Sequence, residues 1–296
     1  MNKQIKGSLL LVLAAALWGF AFVTQTTGMD HVGAITFQCL RCVLAGLTML
    51  VVCLIRGKGK WSLKGKGPVI KAGILCGIPL CAATLSQQFA LNYTTVAKAG
   101  FITSVYVLFV PVLCMFVGKR CGWKVWPCIG MAVVGLYLLS MSESLSLSLG
   151  DSLALICALL FAVQIIAVDH FAGNMDPVEL NGVQFFTCAV INLPFMFLLE
   201  SPGWSDLSQA WGAIAYTGIM SGGIGFMLQI VSQRDVKPAV ASLIMSLEGA
   251  FAALSGWLVL GQGLSLREGI GCVLMFAAII LAQMPDSAQR ANGKSE

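Results

Sequence analysis

The sequence has very little charge. Only 10% of its 296 residues are Asp, Glu, Lys or Arg, whereas 58% are hydrophobic, and the mean hydropathy is +0.87. Soluble domains average roughly 25% charged residues, which they need to cover a surface in water. The low charge therefore excludes an ordinary soluble protein and indicates that lipid is the solvent of this chain.

The sequence also has few of the residues that metal and nucleotide chemistry need. It contains two histidines, His31 and His170, and it has no HExxH motif and no Gly-rich nucleotide loop. Membrane enzymes that act on lipids normally cluster His, Asp or Cys near one face, often around a metal. We therefore expect no catalytic residues, no cofactor and no metal. An integral-membrane enzyme acting on lipid-like substrates, or a structural or receptor-like membrane protein, stays as an alternative.

The basic charge and the cysteines do not indicate further partners. The net charge is +5, but the basic residues fall in short loops without interleaved aromatics, so no nucleic-acid partner is expected. Most of the eleven cysteines lie inside apolar segments, where they are predicted to be reduced packing residues. Cys39 and Cys42 form a CxxC in mid-helix, whereas redox pairs open a helix in a soluble fold.

Ten long apolar segments account for most of the chain. A helix needs about 20 apolar residues to cross a hydrocarbon layer of about 30 Å. The segments are continuously apolar rather than alternating, which excludes a β-barrel. The sequence therefore predicts an all-α integral membrane fold with ten transmembrane helices, at residues 7–28, 31–55, 68–91, 96–117, 122–140, 151–171, 177–199, 210–232, 236–260 and 266–284.

The distribution of Lys and Arg predicts the orientation. Most basic residues fall in the segments that share a side with the N-terminus, above all in the loop 56–71, and the other side has only Lys98 and Arg267. Cytoplasmic loops carry the excess of positive charge. We therefore predict a multi-pass protein of the cell membrane with both termini cytoplasmic and residues 285–296 as a cytoplasmic tail. Membrane lipid is its expected environment.

The two halves of the chain resemble each other. Residues 29–32 (MDHV) precede the second span, and residues 175–178 (MDPV) precede the seventh span. We predict two repeats, at residues 7–141 and 150–284. Each has five helices, and because five is odd the second repeat enters the membrane inverted. Inverted repeats are typical of secondary transporters, whose substrate site lies near the midplane.

Short strings in both halves carry a resemblance to a known family. They are Ala16-Leu17-Trp18-Gly19, residues 41–46 (RCVLAG), residues 90–95 (ALNYTT), residues 238–243 (PAVASL) and Ser246-Leu247-Glu248. In this order they resemble the EamA-type branch of the drug/metabolite transporter superfamily, over nearly the whole chain. The resemblance implies ten helices, cytoplasmic termini, and export or exchange of small metabolites, amino-acid-like or amphipathic compounds. The chain departs from the family pattern at three positions, which are Lys119 and Gln262 in place of an acidic residue and Gly249 in place of Pro.

Ionisable side chains inside spans are the first candidates for function. A charge at the bilayer centre costs at least ~2.5–3.5 kcal/mol, and Arg41 and Glu248 are both predicted to lie near the midplane. Either contributes to a solute or proton site, or neighbouring helices satisfy it structurally. Protons are a possible coupling ion, and the sequence does not indicate the oligomeric state. Polar and aromatic side chains in spans form a second group with the same two readings: Gln38, Gln87, Gln88, Thr103, Ser104, Gln164, Gln184, Gln229, Trp18, Phe22, Phe101 and Tyr106.

Overall fold

The first half of the chain folds into six helices. A computed structural model describes residues 3–57, 65–119, 122–123, 125–140, 148–261 and 266–283, and the regular elements of this part of the chain are all helical. The helices of the first half are α1 (Lys3–Met29), α2 (Ala34–Arg56), α3 (Gly67–Ala90), α4 (Val96–Ser104), α5 (Tyr106–Phe116) and α6 (Val125–Ser140).

The second half repeats the pattern with one irregular span. A ten-residue π-helical segment joins two of its helices without a loop. The elements are α7 (Leu149–Ala172), α8 (Pro177–Leu199), α9 (Trp204–Ala215), the π segment (Tyr216–Gly225), α10 (Phe226–Ser232), α11 (Pro238–Met245), α12 (Leu247–Leu260) and α13 (Leu266–Gln283).

Ten apolar helical segments correspond to the ten predicted spans. Eight are long and apolar enough to cross a membrane, and three of these are composite: α4–α5, α9 to α10, and α11–α12. The other two, within α6 and α13, are shorter apolar helices at 125–138 and 269–282. The prediction of an all-α membrane fold is therefore confirmed. The eighth span begins at Trp204 rather than at residue 210, because polar residues in its first turns lower the local hydropathy.

Local signals place several helix starts. Thr95 accepts a hydrogen bond from the backbone N–H of Lys98 at the start of α4. Ser148 and Asp151 form a capping box at the start of α7. Asp176 accepts from two backbone N–H groups of α8. These side chains satisfy amide groups that a helix start leaves without partners, so they fix where the chain re-enters the bundle.

Packing between the halves follows a two-fold pattern. The α2 helix packs along α8, and α6 packs along α13. In the same way α3 lies against α7, while α1 lies against α9, the π segment and α10. If each helix is exchanged for its counterpart in the other half, the α2–α8 and α6–α13 contacts map onto themselves. The α3–α7 contact maps onto the contact of α1 with α9, the π segment and α10. The two halves are therefore interlocked rather than side by side.

Two spans are broken at corresponding positions. The α4–α5 span breaks at Val105, and α11–α12 breaks at Ser246, which the sequence did not predict. At each break a backbone hydrogen bond joins residues three apart rather than four, from Leu108 N to Val105 O (2.9 Å) and from Gly249 N to Ser246 O (3.2 Å). The Ser104 hydroxyl donates to the Ser246 carbonyl at 3.3 Å. The two breaks therefore meet at the centre of the bundle.

Ion pairs at the helix ends join the halves. In the described residues each ion pair links a first-half side chain to a second-half side chain. Three pairs lie at the face where α1 begins, and one lies at the opposite face. The pairs at the first face are Arg56–Asp176, Lys66–Glu179 and Lys119–Asp169, and the pair at the opposite face is Lys98–Asp151.

Candidate functional site

A cavity lies in the middle of the bundle. Its volume is about 40 Å³, and both halves line it, with α1, α2, α3 and α5 on one side and α7, α8, the π segment, α10, α11 and α12 on the other. Trp18, Tyr106 and Phe161 line it from near the middle of their spans. This space is enough for a few water molecules and is smaller than a typical small-molecule pocket. The cavity therefore lies at the depth of a solute site but is narrow.

Aromatic rings form much of the wall. The ring of Phe226 lies 4.8 Å from Trp18, 5.3 Å from Phe185 and 6.4 Å from Phe161, measured between centroids. Tyr106 meets Phe161 edge-on at 6.4 Å. These rings come from both halves. They offer apolar surface, and their faces also attract cations.

Arg41 lies in the cavity wall and is held by amides. Its side chain is buried, its Nε donates to Gln38 Oε1 at 2.7 Å, and its Nη1 donates to Gln25 Oε1 at 2.7 Å. The ion pairs of the described residues do not include it. A guanidinium stays protonated in proteins. The cavity therefore has a permanent positive charge, and the groups that accept its Nε and Nη1 hydrogen bonds are neutral amides.

Glu248 lies in the same wall. It is 5% exposed and lies beside Tyr106 and Ser104, and its Oε1 has no hydrogen-bond partner within the described part of the chain. The break at Ser246 puts this carboxyl in the first turn of α12, where the backbone dipoles favour a negative charge. Burial opposes that charge. The helix start and the burial of the carboxyl therefore act on its charge in opposite directions.

A ladder of glutamines lies on the side of the face where α1 begins. Gln229 Nε2 donates to Gln164 Oε1 at 3.1 Å and to Gln233 Oε1 at 3.0 Å, and Gln164 Nε2 donates to Gln184 Oε1 at 3.4 Å. Gln164 and Gln229 line the central cavity, whereas Gln233 lines a second cavity with a volume of about 380 Å³. Lys119, whose partner is Asp169, also lines that second cavity. The ladder therefore separates the two cavities.

The π segment supplies backbone groups to the site. Asn181 Nδ2 donates to the carbonyls of Gly222 (3.1 Å) and Gly223 (2.9 Å), and Trp18 Nε1 donates to the Ser221 carbonyl at 3.3 Å. Wider π turns weaken the normal helical bonding and recur at functional sites. Here side chains of α1 and α8 satisfy carbonyls next to the cavity.

The side toward the opposite face is packed differently. An apolar cluster joins the end of α1 to α4 and α12, and Phe22 of this cluster also lines the cavity. Beyond it, the Lys98 ammonium donates to Asp151 at 2.7 Å, and Thr94 donates to the same carboxylate at 3.3 Å. The central cavity thus has an amide layer on one side and an apolar layer with an ion pair on the other.

The structure gathers most of the predicted residues in this cavity. Six candidates lie outside its lining. Gln38 orients Arg41, the Thr103 hydroxyl lies 4.0 Å from Cys157 Sγ, and the buried amide of Gln88 has no partner in the described residues. The other three are Ser104, which donates to the Ser246 carbonyl, Gln184, which accepts from Gln164, and Phe101, which packs against the hydrophobic core. The predicted residues that line it are Trp18, Phe22, Arg41, Gln87, Tyr106, Gln164, Gln229 and Glu248.

Sequence reasoning missed several lining residues. Gln25 lies in a polar stretch at the end of α1, which resembles an ordinary helix end, although a Gln sixteen residues before a buried Arg was a usable signal. The phenylalanines gave no signal, since phenylalanine is common in spans. The missed residues include Gln25, Thr84, Phe161, Phe185, Thr217, Ser221 and Phe226.

Comparison with known proteins gives one consistent result. The sequence profile of the EamA-like transporter family matches residues 5–141 and again residues 148–284. An uncharacterised transporter of Archaeoglobus fulgidus is 29% identical over 95% of this chain and 87% of its own length. The uncharacterised transporter YoaV of Bacillus subtilis is 19% identical over 94% and 97%. A crystal structure with 19% identity covers 98% of this chain and 99% of its own, with a TM-score of 0.77, and it shares the fold.

Proposed function

Because the chain belongs to the EamA-like transporter family of the drug/metabolite transporter superfamily, we propose that it is a secondary transporter that exports or exchanges a small solute across the cytoplasmic membrane. The observation that carries the proposal is the central cavity, which both halves line and which contains Arg41 and Glu248. Buried ionisable groups in a membrane are costly and mark solute or ion pathways. This favours a carrier over an enzyme.

The two layers beside the cavity support alternating access. On one side the Gln164–Gln229–Gln233 ladder separates the central cavity from the second cavity, a vestibule whose lining includes Lys119. On the other side the apolar cluster with Phe22 lies toward the opposite face. Each layer consists of side chains from different helices, so relative motion of the helices would open one layer while the other stays closed. Two interlocked units of similar packing suit such a pair of states.

Glu248 is the proposed coupling group. Its neighbours that can titrate are the Tyr106 phenol on α5 and the Cys157 thiol on α7, and neither supplies a positive charge. An uncompensated buried carboxylate is unstable, and either a proton or a cationic group of the solute removes that cost. Exchange of one for the other would couple transport to protons. Arg41 then sets the field of the cavity.

The proposal includes the orientation of the chain. The basic residues near the face where α1 begins support placing that face, and both termini, in the cytoplasm. The vestibule beside Lys119 and Arg234 would then be the cytoplasmic entrance. Labels at the two ends of the chain should both be accessible only from the cytoplasmic side, and labels accessible from different sides would contradict the orientation.

Counterflow in proteoliposomes tests the function. A metabolite panel, weighted to amino acids and amphipathic amines, is screened in vesicles loaded with the unlabelled compound. If the protein is a carrier, labelled solute should accumulate inside the vesicles above its equilibrium level while the unlabelled solute leaves. Substituting Ala21, which lines the cavity, with Phe should remove this accumulation because the added ring fills the site.

The control is Gly212→Ala, at a position where the added methyl meets open space. It should retain counterflow. Flux without counterflow would indicate a channel, and full counterflow in folded Ala21→Phe would show that the solute does not pass through this cavity. Purified variants that elute as a single peak in detergent establish folding.

A further inference from the structure

Three polar groups of the cavity lack partners. Glu248 Oε1, Gln229 Oε1 and the Tyr106 hydroxyl are buried, and none has a hydrogen-bond partner among the described residues. Each of the three side chains is at most 5% exposed, and all three line the central cavity. Buried polar atoms are nearly always bonded, so an unpaired set lining one cavity indicates a ligand site.

A chain of contacts links the three groups to one aromatic ring. Tyr106 meets Phe161 at 6.4 Å and also neighbours Glu248. Gln164, one turn after Phe161 on α7, accepts from Gln229 at 3.1 Å. Phe161 in turn stacks on Phe226 at 6.4 Å. The free acceptors therefore share a wall with ring faces that attract cations.

The chemistry of these groups defines what they bind. A carboxylate oxygen and an amide oxygen accept hydrogen bonds, and a phenol hydroxyl can also accept. A ligand that satisfies them must bring several N–H donors, and a positive charge offsets the carboxylate. Two of the five N–H donors of Arg41 bond Gln25 and Gln38. The unpaired oxygens of Glu248 and Gln229 therefore require donors, and the Tyr106 hydroxyl can donate or accept.

We propose that Glu248, Gln229 and Tyr106 form a subsite for a protonated amine on a solute whose apolar body packs on Trp18, Phe161 and Phe226. This inference rests on the proposed transport function and names its substrate class. The amine can belong to a monoamine or to an amino acid. A monoamine needs only this subsite for its charged group, whereas an amino acid also needs a partner for its carboxylate.

Equilibrium binding to the purified full chain tests the subsite. Three probes of similar size are compared: 2-phenylethylamine, phenylalanine and 3-phenylpropionate. We expect the amine-bearing probes to bind and 3-phenylpropionate to bind at least about tenfold more weakly, the factor for loss of one charge-assisted hydrogen bond. Binding of 2-phenylethylamine alone assigns a monoamine, and tighter binding of phenylalanine assigns an amino acid.

Variants separate the subsite from general stability. Glu248→Gln and Tyr106→Phe change few atoms and should each weaken amine binding, with the larger loss, about tenfold or more, for Glu248→Gln. Glu179→Gln removes a carboxylate that pairs with Lys66 outside the cavity, and it should bind as the parent does. Gln229→Leu should weaken binding, whereas Gln88→Leu, at a buried amide outside the lining, should not.

Two outcomes overturn the inference. One is preference for 3-phenylpropionate over 2-phenylethylamine, and the other is unchanged amine binding in Glu248→Gln. In either case counterflow of an anionic or neutral solute would leave the proposed transport function standing. Should Glu248→Gln fail to fold, the probe comparison on the parent protein and Tyr106→Phe still decide. Absence of counterflow for every compound would reject the transport function itself.

Discussion

At the scale of single residues, the two buried ionisable groups of the cavity have opposite surroundings. Arg41 is held by amide oxygens of Gln25 and Gln38, so its position is fixed. Glu248 has an oxygen without a partner in the described part of the chain and lies beside the Tyr106 and Ser104 hydroxyls. Under the proposed function we expect Arg41 to set a constant field and Glu248 to change its charge.

Glu248→Gln tests the variable group. Because glutamine cannot bind or release a proton, we expect transport by this variant to lose its dependence on pH or to show it at a different pH. The measurement is initial counterflow rate against pH in proteoliposomes. Glu179→Gln, with its carboxylate lost at the membrane surface, is the control and should keep the parent profile. An unchanged profile in folded Glu248→Gln would make the carboxyl structural.

Arg41→Lys tests the fixed group. The ammonium keeps the charge, but it cannot present donors to Gln25 and Gln38 in the geometry of a guanidinium. Leaving one buried acceptor unpaired costs about 1–3 kcal/mol, so we expect a lower Tm in detergent and reduced counterflow. Arg56→Lys, at an exposed pair, provides the comparison. Full activity in Arg41→Lys would show that charge alone suffices.

At the scale of elements, close helix contacts bring the site together. A methyl on Gly19 of α1 would lie 2.7 Å from the Phe251 carbonyl carbon and 2.8 Å from Ala252 N on α12. These are backbone atoms, which cannot move aside as a flexible side chain can. The contact sets the distance between Trp18 on α1 and Glu248 on α12, which line the same cavity.

Gly19→Ala should therefore destabilise the bundle. Overpacking of this kind costs about 1–3 kcal/mol, and thermal unfolding in detergent measures it as a lower Tm. Gly212→Ala is the matched control, because the added methyl there has no neighbour within 4 Å. Equal Tm values for the two variants would show that α1 can shift away from α12 without cost.

At the scale of the whole molecule, ion pairs connect the halves at both faces. Arg56 at the end of α2 bonds the Asp176 carboxylate that caps α8, at 3.0 and 3.1 Å. Burial raises the pKa of Asp176, but hydrogen bonds from Arg56 and from the Glu179 N–H outweigh it and lower the pKa below its ordinary value. The pair is partly exposed, so its contribution is small.

The Arg56–Asp176 pair should make stability depend on pH. Since the folded pKa of Asp176 is lowered, its contribution is complete above the ordinary Asp pKa and is lost as the pH falls through the folded value. Asp176→Asn keeps an acceptor for the helix cap, so it isolates the charge. At pH 7 we expect the variant to be less stable than the parent by under about 1 kcal/mol, which lowers its Tm. The difference in Tm should shrink in acid. A constant difference would exclude the pair as its cause.

The sequence determined the helices because crossing hydrocarbon requires long apolar runs whose backbone bonds stay internal. It also marked Arg41 and Glu248, because a charge in such a run is costly and therefore conspicuous. Aromatic residues and small breaks carry no such cost. Nothing in a single span distinguishes Phe226 from a lipid-facing ring, or Val105 from its neighbours.

Tertiary structure alone decided what those groups face. Packing α1 against the π segment and α10 brings Trp18 to Phe226, and the meeting of the two breaks brings Ser104 to Ser246. The amide partners of Arg41 come from its own helix and from α1, and the second of these depends on how two helices cross. Periodicity reports the burial of a face, whereas a cavity depends on which faces meet.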